Sequence, residues 1–206
     1  MIKTINSLLE VKNIKANLFF FDIQETLLKE NLYYKMIENN FFASQFLEIC
    51  ISNNIQADDM LKEGRYFFRE LTENHIPKTL ELIKKRKSKI FALTSGYPSY
   101  KKRLALKELN ISLNGILFAS RMNKGIFLSN FLKKFTNLEK IKTICFVDND
   151  LYKLEDVKKE CEVLYPNIEF ILLLYHNKNN INKVTFESFK KYWNNVANKI
   201  KKKVSN

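Results

Sequence analysis

The stretch Asn17–Leu27, NLFFFDIQETL, decides the fold. Its apolar part, Asn17–Phe21, is too short for a core helix and shows no alternation with polar residues. It predicts a strand buried on both faces. The run stops on a carboxylate, Asp22. Three more runs share this character: Lys89–Leu93 (KIFAL), Thr143–Val147 (TICFV) and Glu169–Tyr175 (EFILLLY). Gly115–Ala119 (GILFA) is a weaker fifth. Between them, helical spacing is found at Pro77–Lys87, Tyr97–Leu109, Gly125–Phe135, Leu151–Leu164 and Phe186–Ile200. Pro77 suits a first helical turn, and Leu80 and Ile83 share one face. Strands alternating with helices of this length predict an α/β protein: a three-layer, Rossmann-like fold with a parallel central sheet.

One stretch breaks the alternation. From Leu28 to Asn74 the pattern is helical, with MIENNFFASQFLEICISNN and DDMLKEGRYFFREL as two amphipathic segments. The expected organisation is a core of residues 1–27 and 75–206, with a small helical cap, 28–74, inserted after the first strand over the C-terminal edge of the sheet. The pairs Phe41-Phe42 and Phe67-Phe68 are expected in the cap core.

Ligands of an open parallel sheet bind outside the carboxyl ends of its strands. Here those ends read Asp22-Ile23-Gln24-Glu25-Thr26, Thr94-Ser95-Gly96 and Asp148-Asn149-Asp150. Lys124, at the start of the helix after the third strand, can join them. A carboxylate at Asp22 can attack phosphorus. Two facing carboxylates, Asp22 and Asp148, repel unless a hard cation separates them, and Mg²⁺ takes such oxygens together with phosphate and water. The Gln24 main-chain carbonyl could complete that shell. Thr94, Ser95 and the Lys124 ammonium suit phosphate oxygens.

This order of motifs (apolar strand and DxxxT, apolar strand and Thr, helix Lys, apolar strand and Asp) resembles the haloacid dehalogenase (HAD) superfamily. The resemblance spans about Asn17 to His176. It implies Mg²⁺-dependent phosphoryl transfer, with Asp22 as nucleophile, Thr94 and Lys124 on phosphate, and Asp148 on the metal. The second half, from GILFASRMNKG to IEFILLLYH, resembles an uncharacterised bacterial HAD-like group from host-associated bacteria, known only as a domain of unknown function.

Departures from the superfamily pattern bear on activity. The usual DxDx[TV] motif has a second acid where this chain has Gln24, and a carboxamide cannot shuttle a proton. Glu25 stands where Gly is usual; on an extended segment it points away from Gln24. The fourth motif is Asp148-Asn149-Asp150 rather than two adjacent acids; Asn149 and Asp150 remain candidates to support the metal. Two functions follow: a slow phosphatase or phosphotransferase acting on a small phosphorylated substrate, or a degenerate member that binds a ligand or protein partner without turnover.

Composition weighs against other classes, leaving nucleic-acid binding through the basic surface as a third, weaker reading. Lys and Arg exceed Asp and Glu by 13, but the basic residues are spread along the chain and accompany no nucleic-acid motif. The three cysteines form no CxxC or Cys/His pattern, which argues against a disulfide framework or zinc site, and Cys145 is expected to be buried. The start, MIKTINSLLEVKNIK, lacks a signal-peptide pattern, and no apolar run approaches a membrane span. A cytoplasmic location is expected. Neither His75 nor His176 has a sequence partner for a catalytic triad, and the tail Lys201-Lys202-Lys203 is expected to fray.

Overall fold

The computed structural model describes residues 1–29, 31–65, 70–176 and 184–204. It divides into two compact units. The first comprises Met1–Lys29 with Glu70–Asn179, and the second Glu30–Arg69 with Asn180–Asn206.

The first unit is built on a six-stranded sheet: β1 (Ile2–Ile5), β2 (Leu18–Phe21), β3 (Lys89–Thr94), β4 (Gly115–Phe118), β5 (Thr143–Asp148) and β6 (Glu169–Tyr175). The order is β1-β6-β5-β2-β3-β4, and every pairing is parallel. All five expected strands are present. The sixth, β1, hides in the N-terminal sequence because it is an edge strand with only Ile5 fully buried, so it carries no apolar run.

Central strands are buried on both faces because each face feeds a separate core. Phe19, Phe21, Ile90 and Ala92 point to one side, where they meet Leu80 and Ile83 of α4 (Ile76–Lys85) and Leu106 of α5 (Tyr100–Glu108). Phe20, Leu93, Ile144 and Phe146 point to the other, against Leu128 and Leu132 of α6 (Lys124–Lys133) and Leu154 of α7 (Leu151–Val157). Phe20 stacks on Phe91 at 5.5 Å and meets the edge of Phe131 at 5.9 Å. Burying each such ring contributes roughly 1.5–3 kcal/mol. At Gly125 a Cβ would meet the main-chain oxygen of Asp156 at 2.2 Å, so α6 and the α7 segment approach at a distance only glycine permits.

The second unit is helical: α1 (Leu32–Glu38), α2 (Ala43–Asn53), α3 (Ala57–Gly64) and α8 (Phe186–Val204). The expected first cap helix is two helices. Asn40 and Phe42 adopt left-handed φ values of 60° and 55°, and asparagine tolerates that region. The larger correction concerns α8. It belongs with these helices rather than with the core, because its buried face (Phe189, Tyr192, Trp193, Val196) packs on Phe46, Ile49 and Met60. At Gly64 a Cβ would overlap the Trp193 ring at 2.1 Å. Phe42 packs on Phe186 and Phe189, whereas Phe41 is exposed; Phe67-Phe68 lies outside the described residues. The basic tail continues α8 instead of fraying, since Lys199 and Lys203 both pair with Glu63. No helix among the described residues is long and apolar enough to cross a membrane.

Candidate active site at the carboxyl edge of the sheet

The chain enters the sheet's middle at β2, builds outward through β3 and β4, then returns to place β5 and β6 on β2's other side. The direction of building reverses between β2 and β5, and such a switch point opens a crevice at the strands' carboxyl ends. Phe21 is the register partner of both Val147 and Ala92. The residues that follow, Asp22 and Asp148, therefore leave adjacent strands at the same level, about 5 Å apart across the ladder. Thr94 ends β3 on the other side of β2.

The two carboxylates are 5% and 1% exposed, and between them lies Lys124, 2% exposed. Its Nζ donates to Asp22 Oδ1 at 2.5 Å and to Asp148 Oδ2 at 2.7 Å. Asn123 caps α6 by accepting from the Gly125 and Ile126 amides, which fixes the turn from which Lys124 reaches in. The other oxygen of Asp148 accepts from the Asp150 amide at 3.0 Å. The Asp148 pKa is raised to about 6: burial, and after it the Asp22 charge, push it up, and Lys124 and the Asp150 amide oppose them. For Lys124, burial acts downward, but the Asp22 and Asp148 charges outweigh it and leave its pKa above the ordinary lysine value.

The loop after Asp22 is a tight turn. The amides of Leu27 and Leu28 both donate to the Ile23 carbonyl, and the Glu25 amide donates to the Leu28 carbonyl. The Thr72 hydroxyl and amide tie it down from outside, on the carbonyls of Thr26 and Leu27. Gln24 and Glu25 remain exposed. Glu25 has φ 59°, a left-handed conformation that costs a side-chain-bearing residue about 1–2 kcal/mol. The segment is thus not extended, which corrects the expected direction of Glu25: its carboxylate accepts from Asn149 Nδ2 at 3.0 Å.

Asn149 and Asp150 are committed elsewhere. Asn149 bridges Glu25 and the Thr26 hydroxyl, and Asp150 caps α7 by accepting from the Tyr152 amide at 2.9 Å. The donor set nevertheless suits a hard cation. Asp22, Asp148 and the Gln24 carbonyl are all oxygen donors. Among the described residues no group of three or more His, Cys, Asp or Glu is placed to hold a metal. An ion here would draw the rest of its shell from water and substrate oxygens, as Mg²⁺ commonly does.

Thr94 is 2% exposed, and its hydroxyl accepts from Lys102 Nζ at 3.1 Å. Sequence reasoning missed Lys102, one lysine among many in a helix of ordinary pattern. Ser95 is half-buried; its carbonyl accepts from the Arg121 amide at 2.8 Å, tying the β3 and β4 loops together. Arg121 lies over the Tyr97 ring at 5.4 Å.

A second polar cluster, also missed, lies at the β1–β6 end of the same edge. Glu73 accepts from the Ser7 hydroxyl at 2.6 Å, the Leu8 amide at 2.8 Å and the Tyr175 hydroxyl at 2.7 Å, and pairs with His75 Nε2 at 2.7 Å. Burial and the Glu73 contact raise the Tyr175 pKa. Ser, His and Glu meet here, but the same ring nitrogen, Nε2, faces both Ser7 and Glu73. A triad needs one nitrogen for each neighbour, so this is an anchor and not a relay. Glu73→Ala should cost about 3 kcal/mol in chemical denaturation, because it leaves several polar groups unmatched; a loss within 0.5 kcal/mol, the level of a neutral surface change, would show that the anchor is dispensable.

A family model described as "Protein of unknown function (DUF2608)" matches residues 107–205. No curated protein and no solved structure matches the chain. The matched segment runs from the end of α5 through α8 and carries Lys124 and Asp148, while Asp22 and Thr94 precede it; over this length the chain is similar to that family of unknown function.

Proposed function

We propose that this chain is a Mg²⁺-dependent phosphatase or phosphotransferase of the HAD type, slow in turnover, acting on a phosphomonoester through Asp22. The observation that carries this reading is the buried Asp22–Lys124–Asp148 triad at the switch point. Stability does not account for it. Desolvating ions costs several kcal/mol each, and apolar groups of the same volume often hold a fold as well or better. Buried, mutually perturbed charges in a strand-end crevice are instead a mark of reactive sites.

The chain's residues divide the work as follows. An Asp22 carboxylate oxygen attacks phosphorus, and the bond from phosphorus to the leaving oxygen breaks. The departing alkoxide takes its proton from water, since Gln24 has none to give. Water then attacks the acyl-phosphate, releasing inorganic phosphate and restoring Asp22. Lys124 stabilises the carboxylate before attack and the charge that develops after it. A bound Mg²⁺, held by Asp22, Asp148 and the Gln24 carbonyl, would supply electrostatic stabilisation of the phosphoryl oxygens.

Gln24 also favours a second reading, a pseudo-phosphatase that binds a phosphorylated ligand or protein without turnover. Beryllium fluoride with Mg²⁺, which mimics a phosphorylated aspartate, tests the first. At a hundredfold excess over its Kd the complex should raise the calorimetric Tm of the wild type by about 5–10 °C, and that of Asp22→Asn not at all. An equal shift in both proteins, or none in either, would count against Asp22 as nucleophile.

A further inference from the structure

Among the described residues only two lysines are buried, Lys124 and Lys102. The first is bound to both carboxylates. The second has no place in the chemistry above, yet it reaches the same edge. Lys102 rises from α5, whose Leu106 packs on one face of the sheet; Lys124 rises from α6, whose Leu128 packs on the other. The two ammonium groups thus come to the strand ends from opposite sides, Lys124 at β2 and β5, Lys102 at β3.

Three features show that the position of Lys102 is built. Ser99 caps α5 by accepting from the Lys102 amide at 3.3 Å, which sets the first turn. The residue is 7% exposed, in a chain whose other described lysines, Lys124 aside, stand at least partly in solvent. Finally, Gly96 makes room for it. This chain has four glycines, and none has a positive φ, so Gly96 is not required by its backbone conformation. A Cβ at Gly96 would stand 2.9 Å from Lys102 Nζ, and space is what the glycine supplies.

The chemistry of the pair points outward. Lys102 donates to Thr94 Oγ1, so the threonine hydrogen is directed away from the ammonium. A hydroxyl polarised by an ammonium is a strengthened donor. Lys124 donates to both Asp22 and Asp148, so its charge is shared between those carboxylates.

We propose that Lys102 and Thr94 together form the seat for the phosphoryl oxygens, with Lys124 committed to balancing the carboxylates. This rests on the phosphotransfer reading and adds to it a residue that the motif order does not contain. The seat recognises the phosphate itself, so it is indifferent to the rest of the substrate.

Calorimetric titration with inorganic phosphate in the presence of Mg²⁺ tests it. Lys102→Met keeps the apolar stem and removes the charge; phosphate should bind about tenfold to hundredfold more weakly. Gly96→Ala keeps the lysine but pushes its flexible end off Thr94, and should weaken binding in the same direction with Tm unchanged. Wild-type affinity in both folded variants would overturn the seat. If that occurs while the wild type still traps beryllium fluoride, Lys102 is wrong and phosphotransfer stands. Lys102-dependent phosphate binding without trapping would retain the seat and remove the nucleophile. No phosphate binding by the wild type would overturn the seat, and phosphotransfer with it only if beryllium fluoride is not trapped either.

Discussion

Lys124→Met should destabilise the sheet unit by about 3–5 kcal/mol, the cost typical of removing one partner from a buried ionic network. The methionine fills the volume of the lysine stem, so the loss reports charge rather than a cavity. Without the ammonium, Asp22 and Asp148, both at most 5% exposed, face each other across adjacent strands with nothing between them. Adding Asn at position 22 to this variant should return part of the loss, because one buried carboxylate remains instead of two. Denaturation followed by far-UV circular dichroism is the suitable measurement. The single tryptophan, Trp193, lies in the helical unit, and its fluorescence would follow the wrong unit. Equal stability of Lys124→Met and wild type would mean that the triad does not form.

Gln24→Asp should raise turnover by about 10²-fold or more, within the usual contribution of general acid–base catalysis. The position is exposed, two residues after Asp22. Its neighbour is a poor substitute, since the Glu25 carboxylate is engaged by Asn149, which is held in turn by Thr26. The gain should depend on the leaving group. An alkyl phosphate needs a proton on its departing oxygen, whereas a nitrophenyl phosphate leaves without one. The rate should therefore rise strongly for the first substrate and little for the second. A folded variant with no gain on the alkyl ester would show that the missing acid is not what limits this chain.

Both experiments start from residues visible in the sequence, and the reason is local. A strand buried on both faces must be an uninterrupted apolar run, so Asn17–Phe21 and Thr143–Val147 announced themselves. The residue after such a run must lie at the carboxyl edge, which puts Asp22, Thr94 and Asp148 there. Asn149 and Asp150 were legible as neighbours of that edge, but their hydrogen bonds to Glu25, Thr26 and the α7 amide depend on loops that no periodicity describes.

The amino-acid sequence by itself determined the parallel sheet, the alternation of layers and the carboxylates at the strand ends, because burial on two faces writes itself into contiguous apolar residues. Tertiary structure alone decided that β1 pairs with β6, that α8 packs with the inserted helices, that Glu25 turns toward β5, and that Lys102 is one of two buried lysines among the described residues. Each of these is a choice of partner by a segment whose own composition allows several. A four-residue edge strand, an amphipathic terminal helix and a lysine with an apolar stem are compatible with many neighbours, and only long-range packing selects one.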